Sequence, residues 1–136
     1  MAADTRQIVF INAAHTLTHF SLVILATAVL GIVVQSPDGF GTEYGAILAL
    51  STGMFVLYGL GSLPQGGLAE RFGRVAMVRV FVLGSGASLV AAGLSDGPGM
   101  LLVSLLCLGA FLAIYHPICT AMLVEAAGRR VGRARG

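Results

Sequence analysis

Four apolar runs, each close to the ~20 residues that a helix needs to cross a ~30 Å hydrocarbon core, constrain this chain more than any other feature. They cover residues 8–34, 44–63, 75–94 and 100–124. The charges around them are sorted. All eight basic residues are arginines. Arg6 precedes the first run, Arg71, Arg74 and Arg79 gather where the second gives way to the third, and Arg129, Arg130, Arg133 and Arg135 follow the fourth. The other two connections carry Asp38, Glu43 and Asp96 and no positive charge. Arginine and lysine stay on the cytoplasmic side of a membrane during insertion. The expected fold is all-α and transmembrane: four antiparallel membrane-spanning helices, multi-pass in the cell (inner) membrane, with both termini and the middle connection cytoplasmic.

Composition excludes the main soluble alternatives. Hydrophobic residues make up 57% of the 136 and charged residues 10%, against roughly 25% charged in soluble domains. A water-soluble enzyme is not expected, nor a nucleic-acid partner; the expected surroundings are a lipid bilayer. The first run far exceeds the ~7–15 apolar residues of a signal peptide, so it reads as a retained span. Cys107 and Cys119 lie twelve residues apart in the fourth run, too far for a disulfide within one helix. They read as small packing residues.

Small residues indicate helices that pack on helices. Gly45, Gly53, Gly59 and Gly61 lie in the second run, and Gly84 and Gly86 in the third beside Ser85, Ala87 and Ser88. Lipid supplies no hydrophobic drive for helix association, so close backbone approach must supply contact instead. Turn formers, Ser36-Pro37-Asp38-Gly39 and Ser95-Asp96-Gly97-Pro98-Gly99, fill the two basic-free connections and predict antiparallel neighbours.

The middle connection, residues 64–74, reads as a cytoplasmic loop with the sequence Gly66-Gly67-Leu68-Ala69-Glu70-Arg71-Phe72-Gly73-Arg74. Glycines at both ends suit a tight turn, and Glu70 sits among Arg71 and Arg74 for charge pairing. This segment resembles the signature loop between the second and third helices of the major facilitator superfamily, Gly-x-Leu-Ala-Asp-Arg-x-Gly-Arg-Arg/Lys. Two positions depart: Glu70 replaces the aspartate, and Val75 the second basic residue. The resemblance implies a conformational latch carried by Gly66, Leu68, Glu70, Arg71, Gly73 and Arg74, which forms and breaks as two halves rock about a central site. It also implies secondary active transport of a small molecule, and no enzyme.

A second resemblance covers essentially the whole chain. Ile114-Tyr115-His116-Pro117 in the fourth run and Asn12, His15 and His19 in the first are similar to the fosmidomycin-resistance-type exporter subgroup. That subgroup implies proton-coupled efflux, in the manner of an antiporter, with the proton gradient as energy source and no cofactor. Family members have about twelve helices. The chain is thus expected to be the first third of a twelve-helix major facilitator fold, a fragment whose partners are the missing C-terminal helices or another chain. Residues 125–136 are expected as a cytoplasmic tail.

The histidines also converge on physical grounds. Asn12, His15 and His19 share one helix face at i, i+3, i+7 spacing. At 1.5 Å per residue, His15 lies about 10 Å and His19 about 16 Å inside the first span, while His116 lies roughly 12 Å from the cytoplasmic end of the fourth. Polar groups at such depth are costly and usually face a cavity or a partner, and histidine changes charge near neutral pH. Asn12, His15, His19, Tyr115 and His116 are therefore the expected substrate or proton pathway. The competing reading is interhelical hydrogen bonding by neutral imidazoles. His15 and His19 have the i, i+4 spacing of a helical zinc site, with His116 a conceivable third ligand. No His-Glu-x-x-His pattern surrounds them, so no metal is expected.

Pro117 removes a backbone donor and frees the carbonyl of Ala113, which predicts a helix bend. Glu125 is set four residues before Arg129 for an i, i+4 pair. Gly84-Ser85-Gly86 lacks the context of an intramembrane protease nucleophile and reads as helix packing. Two alternatives to a carrier portion are a small four-helix oligomeric exporter and a non-transporting membrane assembly component. The former would need a carboxylate in the first span, and residues 8–34 contain none.

Overall fold

The computed structural model describes residues 3–35, 40 and 43–134. Among them there is helix and no strand: α1 (Ala3–Gln35), α2 (Tyr44–Ala49), α3 (Ser51–Gly61), α4 (Gln65–Phe72), α5 (Arg74–Gly93), α6 (Pro98–Leu112) and α7 (Tyr115–Ala134). Four stretches are long and apolar enough to cross a membrane: Thr5–Val34, Tyr44–Gly61, Arg74–Gly93 and Pro98–Ala126. The protein is an all-helical, multi-pass membrane protein. The turn expected at residues 36–39 lies outside the described residues.

Local chemistry explains where the helices start and break. Between α2 and α3 the Leu50 N–H bonds to the Ile47 carbonyl, and the Ser51 hydroxyl donates to the Leu48 carbonyl at 2.7 Å. Such back-bonding by serine bends helices. Pro98 stands at the start of α6, where its missing N–H costs nothing. Pro117 cannot donate to Ala113, and the fourth span is interrupted at Ala113 and Ile114, one turn earlier. There the Ile114 N–H turns to the Phe111 carbonyl at 3.2 Å.

Two segments differ from the sequence reading. Most of residues 64–74, expected as a loop, is the helix α4, because Leu68, Ala69, Glu70 and Arg71 are good helix formers. Turns flank it, at residues 62–64 and at Gly73, whose φ of 85° is open to glycine at little cost. The tail expected at residues 125–136 also stays helical as far as Ala134. Its alanines and arginines favour that state.

The fourth span is the hub. Its α6 packs on α3 and α5, and its α7 on α1. Leu101, Leu105, Leu108 and Leu112 form the buried stripe of α6. Gly109 lets the α3 backbone come close: a Cβ there would overlap the carbonyl of Met54. At Gly84 in α5 a Cβ would collide with the ring of Phe111. Gly45, Gly59 and Gly86, expected as packing sites, face open space. Three buried hydroxyls are satisfied within their own helices. Thr18 donates to Ala14, Ser85 to Phe81 and Ser104 to Met100, each at 2.6–2.8 Å. In lipid an unsatisfied polar group costs several kcal/mol, so this bookkeeping decides whether such residues can be carried in a span.

Candidate functional site

The seam between α1 and α7 is unlike the rest of the bundle. α1 carries His15 and His19 one turn apart, and the Nε2 atoms of the two rings are 2.9 Å from each other, one donating and the other accepting. The break ahead of Pro117 starts α7 afresh, which places Tyr115 and His116 in its first turn against the same face of α1. Tyr115 is buried, and its hydroxyl donates to the carbonyl of Ile11 at 2.7 Å. Its ring stacks on His15 with centroids 5.7 Å apart and planes inclined by 5°. That bond and that stack lock the orientation of the tyrosine, and the tyrosine in turn braces His15.

His116 completes the cluster. Its ring stands edge-on to His15 at 5.6 Å and to His19 at 5.7 Å. One nitrogen from each of the three histidines lies within 4.8 Å of the others. His15 and His19 are exposed and His116 half-buried, so the cluster opens to one side of the seam. Asn12 does not join the cluster: its side-chain amide donates back to the Ile8 carbonyl at 2.9 Å.

Sequence reasoning missed Tyr58. This α3 residue sets its ring 5.8 Å from His116 and brings the second span to the cluster. Phe81 of α5 similarly abuts Tyr115 at 5.5 Å. An aromatic in an apolar run carries no mark that separates a site residue from a lipid-facing one. Two grooves between α1 and α5 among the described residues, about 400 and 350 Å³, are lined by no histidine.

The arginine-bearing end holds a second group of expected residues. Arg74 forms an ion pair with Glu125, which joins the start of α5 to α7. Glu125 was expected to pair with Arg129, whose side chain lies outside the described residues. Glu70 makes no ion pair among the described residues, in contrast to its expected pairing with Arg71 and Arg74. Arg71 instead lies over the ring of Phe72, 5.4 Å from its centroid. Gly66, Glu70, Arg71 and Gly73 are exposed, and Leu68 is half-buried. Gln65 is buried; its amide nitrogen reaches the Gly61 carbonyl at 2.8 Å, and its Oε1 has no partner among the described residues.

A family model described as Major Facilitator Superfamily matches residues 11–136. No curated protein and no solved structure matches the chain.

Proposed function

The chain belongs to the major facilitator superfamily of transporters, and from that premise we propose that its histidine seam lines the path of a small molecule through the membrane. The observation that carries this reading is the meeting of His15, His19 and His116, from two spans, in a cluster open on one side. Imidazoles at membrane depth are costly unless a polar path or a partner receives them. Tyr115 positions His15, and Tyr58 borders His116. Asn12 enters the path only if its amide leaves the Ile8 carbonyl.

The finer reading is proton-coupled efflux of the fosmidomycin-resistance type, with the four spans working beside further helices that close the exposed side of the seam. Histidine is suited to exchanging a proton with the gradient. The residues of α4 and its flanks, Gly66, Leu68, Glu70, Arg71, Gly73 and Arg74, would serve as the latch that opens and closes one end, and Pro117 as a bend in the moving span. The arginine pattern favours placing that end and both termini in the cytoplasm. In support, the Arg74–Glu125 pair brings the middle connection and the end of the fourth span to the same end of the bundle.

Flux in proteoliposomes holding the complete carrier tests the path. His116→Ala is expected to reduce substrate flux by about tenfold or more, equivalent to ~1.4 kcal/mol of lost stabilisation. Unchanged flux, and unchanged proton movement with it, would remove the seam from the mechanism. Labelling of cysteines placed near Arg71 from outside intact cells tests the orientation: reaction there would invert it.

A further inference from the structure

The sequence spacing left the three histidines without an expected metal, but their arrangement supports one. His15 and His19 project from one face of α1, one turn apart, and His116 approaches them from α7. One nitrogen of each falls within 4.8 Å of the other two. In a tetrahedral zinc site with Zn–N bonds of ~2.0–2.1 Å, ligand nitrogens are separated by about 3.3 Å. The nitrogens must draw together by up to about 1.5 Å for such a site to form. The cluster also has a donor to spare. The His15–His19 contact uses one lone pair, while neither ring nitrogen of His116 has a hydrogen-bond partner among the described residues.

We propose that His15, His19 and His116 bind a divalent late first-row transition metal ion, such as Zn²⁺ or Co²⁺, through one nitrogen each, with a fourth position left open. The donor set fixes the class. Imidazole suits zinc, copper, nickel and iron, whereas calcium and magnesium demand oxygen. No carboxylate or thiol belongs to the group among the described residues. Three neutral ligands leave the ion's double charge uncompensated, which favours an anionic donor or water at the open position. Exposure of His15 and His19 gives that donor access. The stack of Tyr115 on His15 holds the plane of that ring.

The proposal deepens the reading of this seam as the carrier's polar site and rests on it, yet equilibrium binding tests it without any flux. The full chain, without an affinity tag, is purified in mild detergent and titrated with Co²⁺ alone. Visible d–d bands that saturate at one equivalent and disappear on adding Zn²⁺ are expected. His116→Ala and His15→Ala should each weaken Co²⁺ by more than the ~10-fold that loss of an outer-shell partner costs. Cys107→Ser and Cys119→Ser should leave the bands unchanged. X-ray absorption of the zinc-loaded wild-type chain keeps the test independent of variant folding, and should find three imidazoles around the metal. Absence of saturable bands, binding indifferent to His116→Ala, dependence on either cysteine, or fewer than three imidazoles at zinc would each overturn the site. Saturable Co²⁺ binding in a carrier whose flux ignores His116 would keep the metal site and discard the transport path.

Discussion

Two seams meet the fourth span, and they are built from opposite materials. Against α3 and α5, the span offers leucines and a glycine, and the backbones approach until Gly109 touches the Met54 carbonyl. Against α1 it offers a tyrosine and a histidine after a proline-induced break, and the contact is made by rings about 5–6 Å apart. The first seam has no room for adjustment. The second is held, among the described residues, by ring contacts and by hydrogen bonds from Tyr115 to the Ile11 carbonyl and from Gln7 to the Met122 carbonyl. A carrier needs both: a dry interface that keeps helices in register, and a polar one that can exchange partners as halves rock. The comparison assigns rigidity to α3–α6 and chemistry to α1–α7.

The largest expected effect falls on the dry seam. Gly109→Ala puts a methyl into backbone that cannot turn aside, and overpacking of this kind costs roughly 3 kcal/mol. Gly59→Ala, facing open space, should be neutral or stabilising by up to ~1 kcal/mol. Thermal unfolding of both variants in detergent reads the contrast, and equal stabilities would break it.

Next comes the polar seam. His116→Ala should leave unfolding within ~1 kcal/mol of wild type, as for a half-buried side chain outside the close-packed interface. Flux is then the property that drops. A large loss of stability instead would make His116 a packing residue and merge the two seams. Tyr115→Phe is smaller and more selective. It keeps the stack on His15 but removes the donor to the Ile11 carbonyl, worth about 1 kcal/mol. Weakened function with little unfolding change would show that bracing His15 matters more than the bond's energy.

The smallest effect is expected at the arginine-bearing end. The Arg74 and Glu125 side chains are 44% and 50% exposed, so a double-mutant cycle should give a coupling below ~1 kcal/mol. Added salt should shrink it further. A coupling of several kcal/mol would turn this pair into a structural clamp.

The number of spans was legible because run length and hydropathy are local properties. The interruption at Ala113 and Ile114 was equally open to inference, since the missing N–H of Pro117 acts on its own helix. That the histidines share a layer followed from helix rise and opposite chain directions. Their approach to within 4.8 Å did not, because it depends on the rotation of α7 about its axis. Rotation also hid which glycines matter: Gly109 faces a partner, whereas Gly45, Gly59 and Gly86 do not. Glu125 has an arginine four residues on, yet the described structure joins it to Arg74, fifty-one residues away in sequence. No spacing rule reaches across that interval.

Water access to the two seams tests the assignment most directly. With Cys107 and Cys119 replaced by alanine, single cysteines at positions 15, 19 and 116 would be compared with cysteines at 54 and 108 for reaction with a charged, membrane-impermeant thiol reagent in reconstituted protein. The account predicts rapid modification at the three histidine positions and protection at Met54 and Leu108. Protection at 15, 19 and 116, or reaction at 54 and 108 to the same extent, would contradict it.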